Sequence, residues 1–193
     1  FASHERAKDW SDKNDITPRN ISLNSSKVVW FYCDKCNHDY DIRLDEVSKW
    51  NYICPYCNSS RLCDNDECVS CFNKSFASHK NSKYFSKKNK ADPRFLFKNS
   101  YKKYIFDCNK CNHSFNTNLS DINRGIWCPF CSKPAKQLCN NEDCKHCYDR
   151  SFASNKYAKY WSDRNKFTPR QIAGSSIKSA IFDCPDCNHS FSK

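Results

Sequence analysis

Residues 33–57 read CDKCNHDYDIRLDEVSKWNYICPYC and contain two Cys-x-x-Cys pairs that are separated by 17 residues. Two residues between the cysteines of a pair let both thiolates approach one ion from a tight turn. Two such turns joined by a hairpin complete a tetrahedron, and this spacing is typical of four-cysteine zinc sites. A closed four-thiolate site has no open position for a catalytic water, which favours a structural role. We therefore predict a structural zinc site with the ligands Cys33, Cys36, Cys54 and Cys57.

The same arrangement occurs again at residues 108–131, with 16 residues between the two pairs. It predicts a second four-cysteine zinc site, with the ligands Cys108, Cys111, Cys128 and Cys131. A third copy contributes only its first pair, and we predict that this pair also binds metal, through Cys184 and Cys187.

The cysteine pairs belong to a longer internal repeat, which the motif FAS marks at residues 1–3, 76–78 and 152–154. Self-similarity at a fixed period is the signature of tandem structural units. We predict two complete zinc-binding repeats and a partial third one, at residues 1–75, 76–151 and 152–193. Because the third copy ends after its first cysteine pair, and the chain has no methionine, we expect a piece of a longer protein.

Each repeat is predicted to begin with a short helix and to continue into a β-hairpin. A serine hydroxyl can satisfy the free amides of a first helical turn, and the expected caps are Ser3, Ser78 and Ser154. Runs of β-branched and aromatic residues predict the strands, at residues 27–33, 39–43, 102–108, 114–118 and 178–184. The predicted fold class is therefore small α+β metal-stapled repeats, in tandem units of zinc-ribbon or treble-clef-like type, with an N-terminal short helix, a β-hairpin and cysteine knuckles.

Each complete repeat carries a further Cys-x4-Cys-x2-Cys cluster. The two clusters comprise Cys63, Cys68 and Cys71, and Cys139, Cys144 and Cys147. Three thiolates leave a tetrahedral zinc one ligand short. Seven cysteines and the repeated histidine of the Cys-Asn-His motif make eight ligands, which corresponds to two zinc ions per complete repeat. We therefore predict that His38 and His113 complete the second sites.

The assignment of these two histidines has alternatives. In one, His38 exchanges places with Cys36, because the two residues are nearly adjacent. In another, both histidines only form hydrogen bonds within the knuckle. His79 and His146 are weaker candidates, since the equivalent positions of another repeat hold asparagine and serine.

Sixteen cysteines also suggest disulfides, which are common in small secreted domains. Seven cysteines per complete repeat is an odd number, however, and internal disulfides would leave one unpaired. The first residues, FASHERAKDW, also lack the apolar stretch of a secretory leader. We therefore expect metal in place of disulfides, and a reducing compartment. No apolar run approaches the roughly 20 residues that cross a bilayer, so we expect no membrane partner.

Several features together resemble a known family. They are SFAS, an aromatic residue nine positions after its Phe, a Pro-Arg turn, Cys-x-x-Cys-Asn-His, and CPYC or CPFC. This combination resembles the probable zinc-ribbon or treble-clef-like repeat domain of large nucleocytoplasmic DNA viruses, over essentially the whole chain. The resemblance implies zinc binding and a viral origin. The three-cysteine clusters depart from the simplest pattern of that family.

The net charge of +11 favours a nucleic-acid partner only for part of the chain, because the charge is uneven. The three repeats carry net charges of −2, +9 and +4 in chain order. Phosphate contacts are therefore expected mainly in the second repeat, from Lys83, Lys87, Lys88, Lys90, Arg94, Lys102 and Lys103. The alternative is that the basic side chains which recur in every repeat are solvated or paired internally. They are Lys8, Lys83 and Lys159; Lys13, Lys88 and Arg164; Arg19, Arg94 and Arg170; and Lys27, Lys102 and Lys178.

No catalytic arrangement recurs between the repeats, so we predict that the chain is not an enzyme and has no small-molecule substrate. We expect a structural or interaction protein, a minor capsid or capsid-associated component of a large DNA virus particle. Its partners would be other virion proteins. Its location would be the virion, after assembly in the reducing cytoplasm or virus factory of the infected cell. The alternative is a nucleic-acid-binding zinc protein that contacts phosphates through the second repeat.

Overall fold

The computed structural model describes residues 1–50 and 52–193. Within these residues, six strands form three separate antiparallel hairpins, one in each repeat. The strands are β1 (Val28–Cys33), β2 (His38–Arg43), β3 (Lys103–Asp107), β4 (Ser114–Asn118), β5 (Ile181–Asp183) and β6 (Ser190–Ser192). The positions of β1 to β5 agree with the predicted strands, whereas β6 was not predicted.

The register of the first hairpin connects the core to the cysteine knuckle. Successive strand residues point to opposite faces of the sheet, and β1 accordingly alternates exposed and buried side chains. Phe31 lies opposite Tyr40 on the core side, and Cys33 lies opposite His38 where the hairpin turns. The strand therefore delivers one cysteine to the turn while its aromatic residues fill the core.

In the part of the chain that the structure describes, four short α-helices lie after the first two hairpins or within the three-cysteine clusters. They are α1 (Leu44–Trp50), α2 (Val69–Lys74), α3 (Leu119–Asn123) and α4 (Lys145–Tyr148). Helix α3 is capped by Asn118, whose side chain accepts a hydrogen bond of 2.7 Å from the backbone N–H of Asp121. It buries Leu119 and Ile122 against the core. No helix in the described residues is long and apolar enough to cross a membrane.

The predicted N-terminal helices are short 3-10 helices, and their predicted serine caps are wrong. The side chains of His4 and Asn155 occupy the cap positions and accept from the backbone N–H groups of the first turn. The hydroxyl of Ser78 instead donates a hydrogen bond of 2.9 Å to the carbonyl of Ser75. The reason is that FAS itself forms a 3-10 turn, which moves the next helix one residue onward. The 3-10 helices are Glu5–Asp9, Pro18–Asn20, Phe76–Ser78, Ser82–Tyr84, Pro93–Phe95, Phe152–Ser154, Lys156–Tyr160 and Pro169–Gln171.

Each hairpin packs its aromatic residues around one central phenylalanine. Phe31 is fully buried and lies 5.6 Å from the ring of Trp10. Phe106 occupies the same position in the second hairpin, 5.5 Å from Phe85. Phe182 does so in the third, 5.4 Å from Trp161. Edge-on aromatic contacts of this kind stabilise small cores beyond the area that they bury.

The chain forms two compact units that do not coincide with the sequence repeats. Unit 1 comprises Phe1–Ser82 and Ala91–Lys98, and unit 2 comprises Lys83–Lys90 and Asn99–Lys193. Within unit 1, the backbone N–H of Phe76 donates to the carbonyl of Leu96. Within unit 2, Phe152 donates to Ile172 in the same way, at 2.8 Å. Each opening segment also bonds to the end of the repeat before it, since the backbone N–H of Lys98 donates to the carbonyl of Lys74 and that of Gly174 donates to the carbonyl of Arg150.

Candidate metal centres

Among the described residues, the structure brings sixteen of the eighteen predicted ligands together in four groups. Within each group, one ligand atom per residue lies within 4.8 Å of all the others. Two groups contain four cysteines: Cys33, Cys36, Cys54 and Cys57, and Cys108, Cys111, Cys128 and Cys131. Two contain one histidine and three cysteines: His38, Cys63, Cys68 and Cys71, and His113, Cys139, Cys144 and Cys147.

The four-cysteine groups have the dimensions of a tetrahedral zinc site. Zinc–sulfur bonds of about 2.3 Å place the sulfur atoms of a tetrahedron about 3.8 Å apart. The Sγ atoms of Cys33 and Cys57 are 3.6 Å apart, and those of Cys108 and Cys131 are 3.7 Å apart. A disulfide needs about 2.05 Å, and all sixteen cysteines are free. The thiols therefore have the spacing of the ligands of one zinc ion, and they do not have the spacing of disulfides.

The two histidines close the three-cysteine clusters through their Nε2 atoms. Zinc bonds of about 2.3 Å to sulfur and 2.0–2.1 Å to nitrogen predict a distance of about 3.6 Å between the two ligand atoms. Nε2 of His38 lies 3.5 Å from Sγ of Cys71, and Nε2 of His113 lies 3.5 Å from Sγ of Cys147. Cys36 stays with the four-cysteine group, so it does not exchange with His38.

The two weaker histidine candidates lie outside the four groups. His79 stacks on Phe76 with ring centroids 5.3 Å apart, and its Nδ1 accepts a hydrogen bond from the backbone of Asn81. His146 is 3.1 Å from the carbonyl of Phe130 through its Nε2 atom. Both rings therefore serve local packing and hydrogen bonding.

An aromatic residue of the first site orients the histidine of the second. The ring of His38 stacks on Tyr56 at 4.1 Å, and that of His113 stacks on Phe130 at 4.3 Å. Tyr56 and Phe130 are the aromatic residues of CPYC and CPFC, between two cysteine ligands. This role was not predicted from the sequence, although the aromatic residue recurs at the same position of both repeats.

Two comparisons with known proteins place the chain in a family. The sequence profile of the probable treble clef zinc finger domain matches residues 7–60 and 82–134, which together make up more than half of the chain. The chain belongs to this treble clef family. Each matched segment contains one four-cysteine group, whereas the three-cysteine clusters lie beyond both segments.

A relative of this treble clef chain occurs in a giant virus. An uncharacterized protein of Acanthamoeba polyphaga mimivirus is 36% identical over 199 residues, in an alignment that covers all of the chain. The chain spans about half the length of that curated relative, 48%. The predicted family resemblance and fold class are confirmed. The four groups fit zinc, with two ions in each complete repeat, as the ligand count predicted.

An asparagine in the left-handed conformation shapes each treble clef knuckle. Asn37, Asn112 and Asn188 have φ angles of 55°, 55° and 56°. The backbone N–H of Asn112 donates a hydrogen bond of 2.9 Å to the carbonyl of Cys108, which closes the turn. Asparagine and glycine tolerate this region, and other residues are disfavoured there. The asparagine of Cys-Asn-His therefore turns the chain so that the histidine begins the return strand.

Replacing Asn112 with valine is expected to destabilise unit 2 by about 1–2 kcal/mol, the cost of the left-handed region for an ordinary residue. Asn112→Gly is expected to retain the stability of the wild type within about 0.5 kcal/mol, because glycine adopts positive φ readily. Urea unfolding at saturating zinc measures both variants. Equal destabilisation by valine and glycine would show that the asparagine side chain matters, and that the backbone conformation does not.

The protein holds the thiols of one four-cysteine group at different pKa values. Burial raises the pKa of Cys108, but hydrogen bonds from the backbone of Lys110 and Cys111 and from neighbouring thiols outweigh it and lower the pKa to about 7. Burial and the neighbouring thiols raise the pKa of Cys111 to about 11. Closely packed thiolates repel one another, so a divalent cation is required to hold all four deprotonated.

The third cysteine pair belongs to none of the four ligand groups. Cys184 and Cys187 join no group of three or more metal-ligating side chains in the part of the chain that the structure describes. They border a cleft of about 600 Å³ that Phe182 and Phe191 also line. In the second repeat, the counterparts of these two phenylalanines pack against Trp127. In the third repeat, Phe191 is instead 51% exposed, whereas Phe182 packs against Phe152 and Trp161.

The basic residues predicted to contact phosphates divide into two sets. Six of them are exposed and belong to unit 2, namely Lys83, Lys87, Lys88, Lys90, Lys102 and Lys103. Arg94 differs, because only 7% of it is exposed and its guanidinium faces Cys63 and Asn65 in unit 1. A guanidinium in this position does not reach a phosphate backbone, so Arg94 does not belong to the phosphate-binding set.

Proposed function

We propose that the chain is a non-enzymatic interaction protein whose zinc-stapled repeats bind other proteins of a large DNA virus particle, as a minor capsid or capsid-associated component. The main support is the coordination number, since each of the four groups supplies four protein ligands. Four protein ligands fill a tetrahedral zinc and leave no position for a substrate or an activated water. The metal then stabilises the fold, and the protein surface carries the function. The mimiviral relative supports a large virus as the source.

Unit 1 presents a surface suited to a protein partner. The outward side of β1 carries three large exposed side chains, which we call the outer strip: Val28, Trp30 and Tyr32. Exposed aromatic residues are enriched at protein interfaces. Unit 1 also contains thirteen basic and thirteen acidic side chains, and so has no net charge to attract nucleic acid. In unit 2, the positions of the outer strip hold Lys103, Ile105 and Asp107.

A particle analysis tests this function. Particles of the virus that encodes the chain are purified, treated with protease on the outside, and analysed by quantitative mass spectrometry. We expect the chain at a constant ratio to the capsid proteins. A photo-crosslinking residue at Trp30 is expected to capture a particle protein, whereas the same residue at the matched position Ile105 is not. Recovery of the chain only from the soluble infected-cell fraction would contradict the proposal.

A second candidate function is nucleic-acid binding, and the charge of unit 2 favours it. Unit 2 contains nineteen basic and eight acidic side chains, so it carries the whole net charge of the protein. Lys83–Lys90 runs beside β3, where the backbone N–H of Ser86 donates to the carbonyl of Ile105. The exposed lysines of this segment and those at the start of β3 therefore lie on two neighbouring segments of the chain. Together they can contact successive phosphates of a nucleic-acid backbone.

Nucleic-acid binding would appear as a strong dependence on salt. If about six phosphates are contacted, affinity for duplex DNA is expected to fall about 10³-fold between 50 and 200 mM salt. The triple variant K83E/K88E/K102E is expected to abolish the binding. Its control is K8E/K13E/K27E, which changes the equivalent positions of the first repeat and is expected to bind like the wild type. Fluorescence anisotropy measures all three proteins, and an equal loss in both variants would exclude a specific surface on unit 2.

A further inference from the structure

The arginine of the Pro-Arg turn reaches the histidine–cysteine site of the preceding repeat. Nη2 of Arg94 donates a hydrogen bond of 2.6 Å to the carbonyl of Asn65 and lies 3.9 Å from Sγ of Cys63. In unit 2, Nη2 of Arg170 makes the same contacts with Asn141, at 2.8 Å, and with Cys139, at 3.7 Å. The geometry therefore occurs twice, in two separate units.

The local backbone holds each of these arginines in place. Each follows a proline at the start of a 3-10 helix, Pro93–Phe95 or Pro169–Gln171. Proline restricts φ to about −65° and so fixes the direction of the turn. The side chain of Asp92 also accepts a hydrogen bond of 2.8 Å from the backbone N–H of Arg94. The guanidinium is thus presented to the cysteine 31 residues earlier in the chain.

The charge of the zinc-loaded site explains why the guanidinium groups of Arg94 and Arg170 have buried atoms. Among the described residues, Nε and Nη1 of both Arg94 and Arg170 are buried and have no hydrogen-bond partner. A buried guanidinium is costly unless a negative charge compensates it. Three thiolates and one neutral imidazole around Zn²⁺ leave a net charge of −1. The zinc-loaded site therefore supplies the compensating charge that neutral thiols would not supply.

We propose that Arg94 and Arg170 are positioning residues for zinc, each of which makes the metal retention of one histidine–cysteine site depend on the repeat that follows it. The guanidinium donates toward the thiolate of Cys63 or Cys139 and balances the charge of the site. Groups that hydrogen-bond to metal ligands commonly change metal affinity by about 10–100-fold. By linkage, zinc in the site must hold the following repeat in place to the same extent.

Zinc release from the full, zinc-loaded chain tests the proposal. The variants are Arg170→Gln, Arg170→Lys and, as a matched control, Arg19→Gln, because Arg19 occupies the same Pro-Arg turn but is exposed. Zinc transfer to a chromophoric chelator is expected to speed up about tenfold for one of the four ions in Arg170→Gln. Arg170→Lys retains the charge and is expected to stay within about threefold of the wild type. Equal release from Arg170→Gln and Arg19→Gln would overturn the proposal.

Hydrogen exchange tests the reverse direction without any arginine variant. His113→Ala removes a ligand of the unit 2 site, and exchange is then followed at the amide of Phe152, which donates to Ile172. Exchange at Phe152 is expected to become at least about tenfold faster. Exchange at the matched amide of Phe76 in unit 1 is expected to stay unchanged. Unchanged exchange at Phe152 after loss of this zinc would overturn the proposal, whatever the behaviour of Arg170→Gln.

Discussion

Exhaustive removal of zinc is expected to unfold both units of this chain. Structural zinc in small fingers contributes roughly 10–16 kcal/mol of apparent binding free energy per site. A whole domain has a free energy of unfolding of only about 5–15 kcal/mol, and each unit has two such sites around a small aromatic core. The near-ultraviolet circular dichroism that arises from packed rings, such as Phe106 against Trp127, is expected to disappear.

Native mass spectrometry provides the stoichiometry for this experiment. The loaded chain is expected to carry four zinc ions, and refolding is expected to reach completion at four equivalents of added zinc. A chelator that has been saturated with zinc beforehand is the control, and it should leave the spectrum unchanged. Retention of the near-ultraviolet signal in protein that is free of metal would contradict the structural role of the sites.

Replacement of His113 with alanine is expected to lower the zinc content from four ions to three. The variant leaves three thiols without a fourth ligand for zinc. It therefore loses a large part of the roughly 10–16 kcal/mol of zinc-binding free energy that one site contributes to folding. It also removes the ring that stacks on Phe130. We therefore expect unit 2 to unfold at a lower denaturant concentration, while unit 1 retains both of its ions.

Two further variants separate ligation from packing at this position. His113→Cys supplies a fourth thiolate and is expected to restore the fourth zinc ion, although it does not restore the ring stack. His189→Ala changes the equivalent histidine of the third repeat, which is exposed and belongs to no ligand group in the described part of the chain. It is expected to change neither zinc content nor stability. Four zinc ions in His113→Ala would show that this histidine is not a ligand.

Local features of the chain could be predicted because their causes are local. The Cys-x-x-Cys spacing reflects the geometry of one turn around one ion, so it indicated the four-cysteine sites. The run of β-branched and aromatic residues at Val28–Cys33 similarly indicated a strand. Counting ligands led to His38, because a tetrahedral ion requires four. Each of these predictions depends only on residues within one hairpin and one cysteine cluster.

Features that depend on packing between distant segments could not be predicted in this way. Arg94 looks like an ordinary surface cation in the sequence, and only the fold shows that it faces Cys63. The caps were misplaced because the turn formed by FAS depends on Phe76 being held by Leu96 of the same unit. Sequence periodicity marks where a motif recurs, and it does not tell which neighbour a segment packs against.

Within each unit, the opening segment of one repeat contacts the last zinc site of the repeat before it. In a repeat array, stability is approximately a sum of terms between nearest neighbours. The last zinc site of such an array therefore lacks the contact that a following repeat would provide. A protein fragment that ends at residue 75 would lose the contact of Arg94 with its last zinc site, whereas a fragment that ends at residue 98 would keep that contact. Gene duplication can lengthen such an array in steps of one repeat at any point, because every new junction between repeats reproduces the same contact.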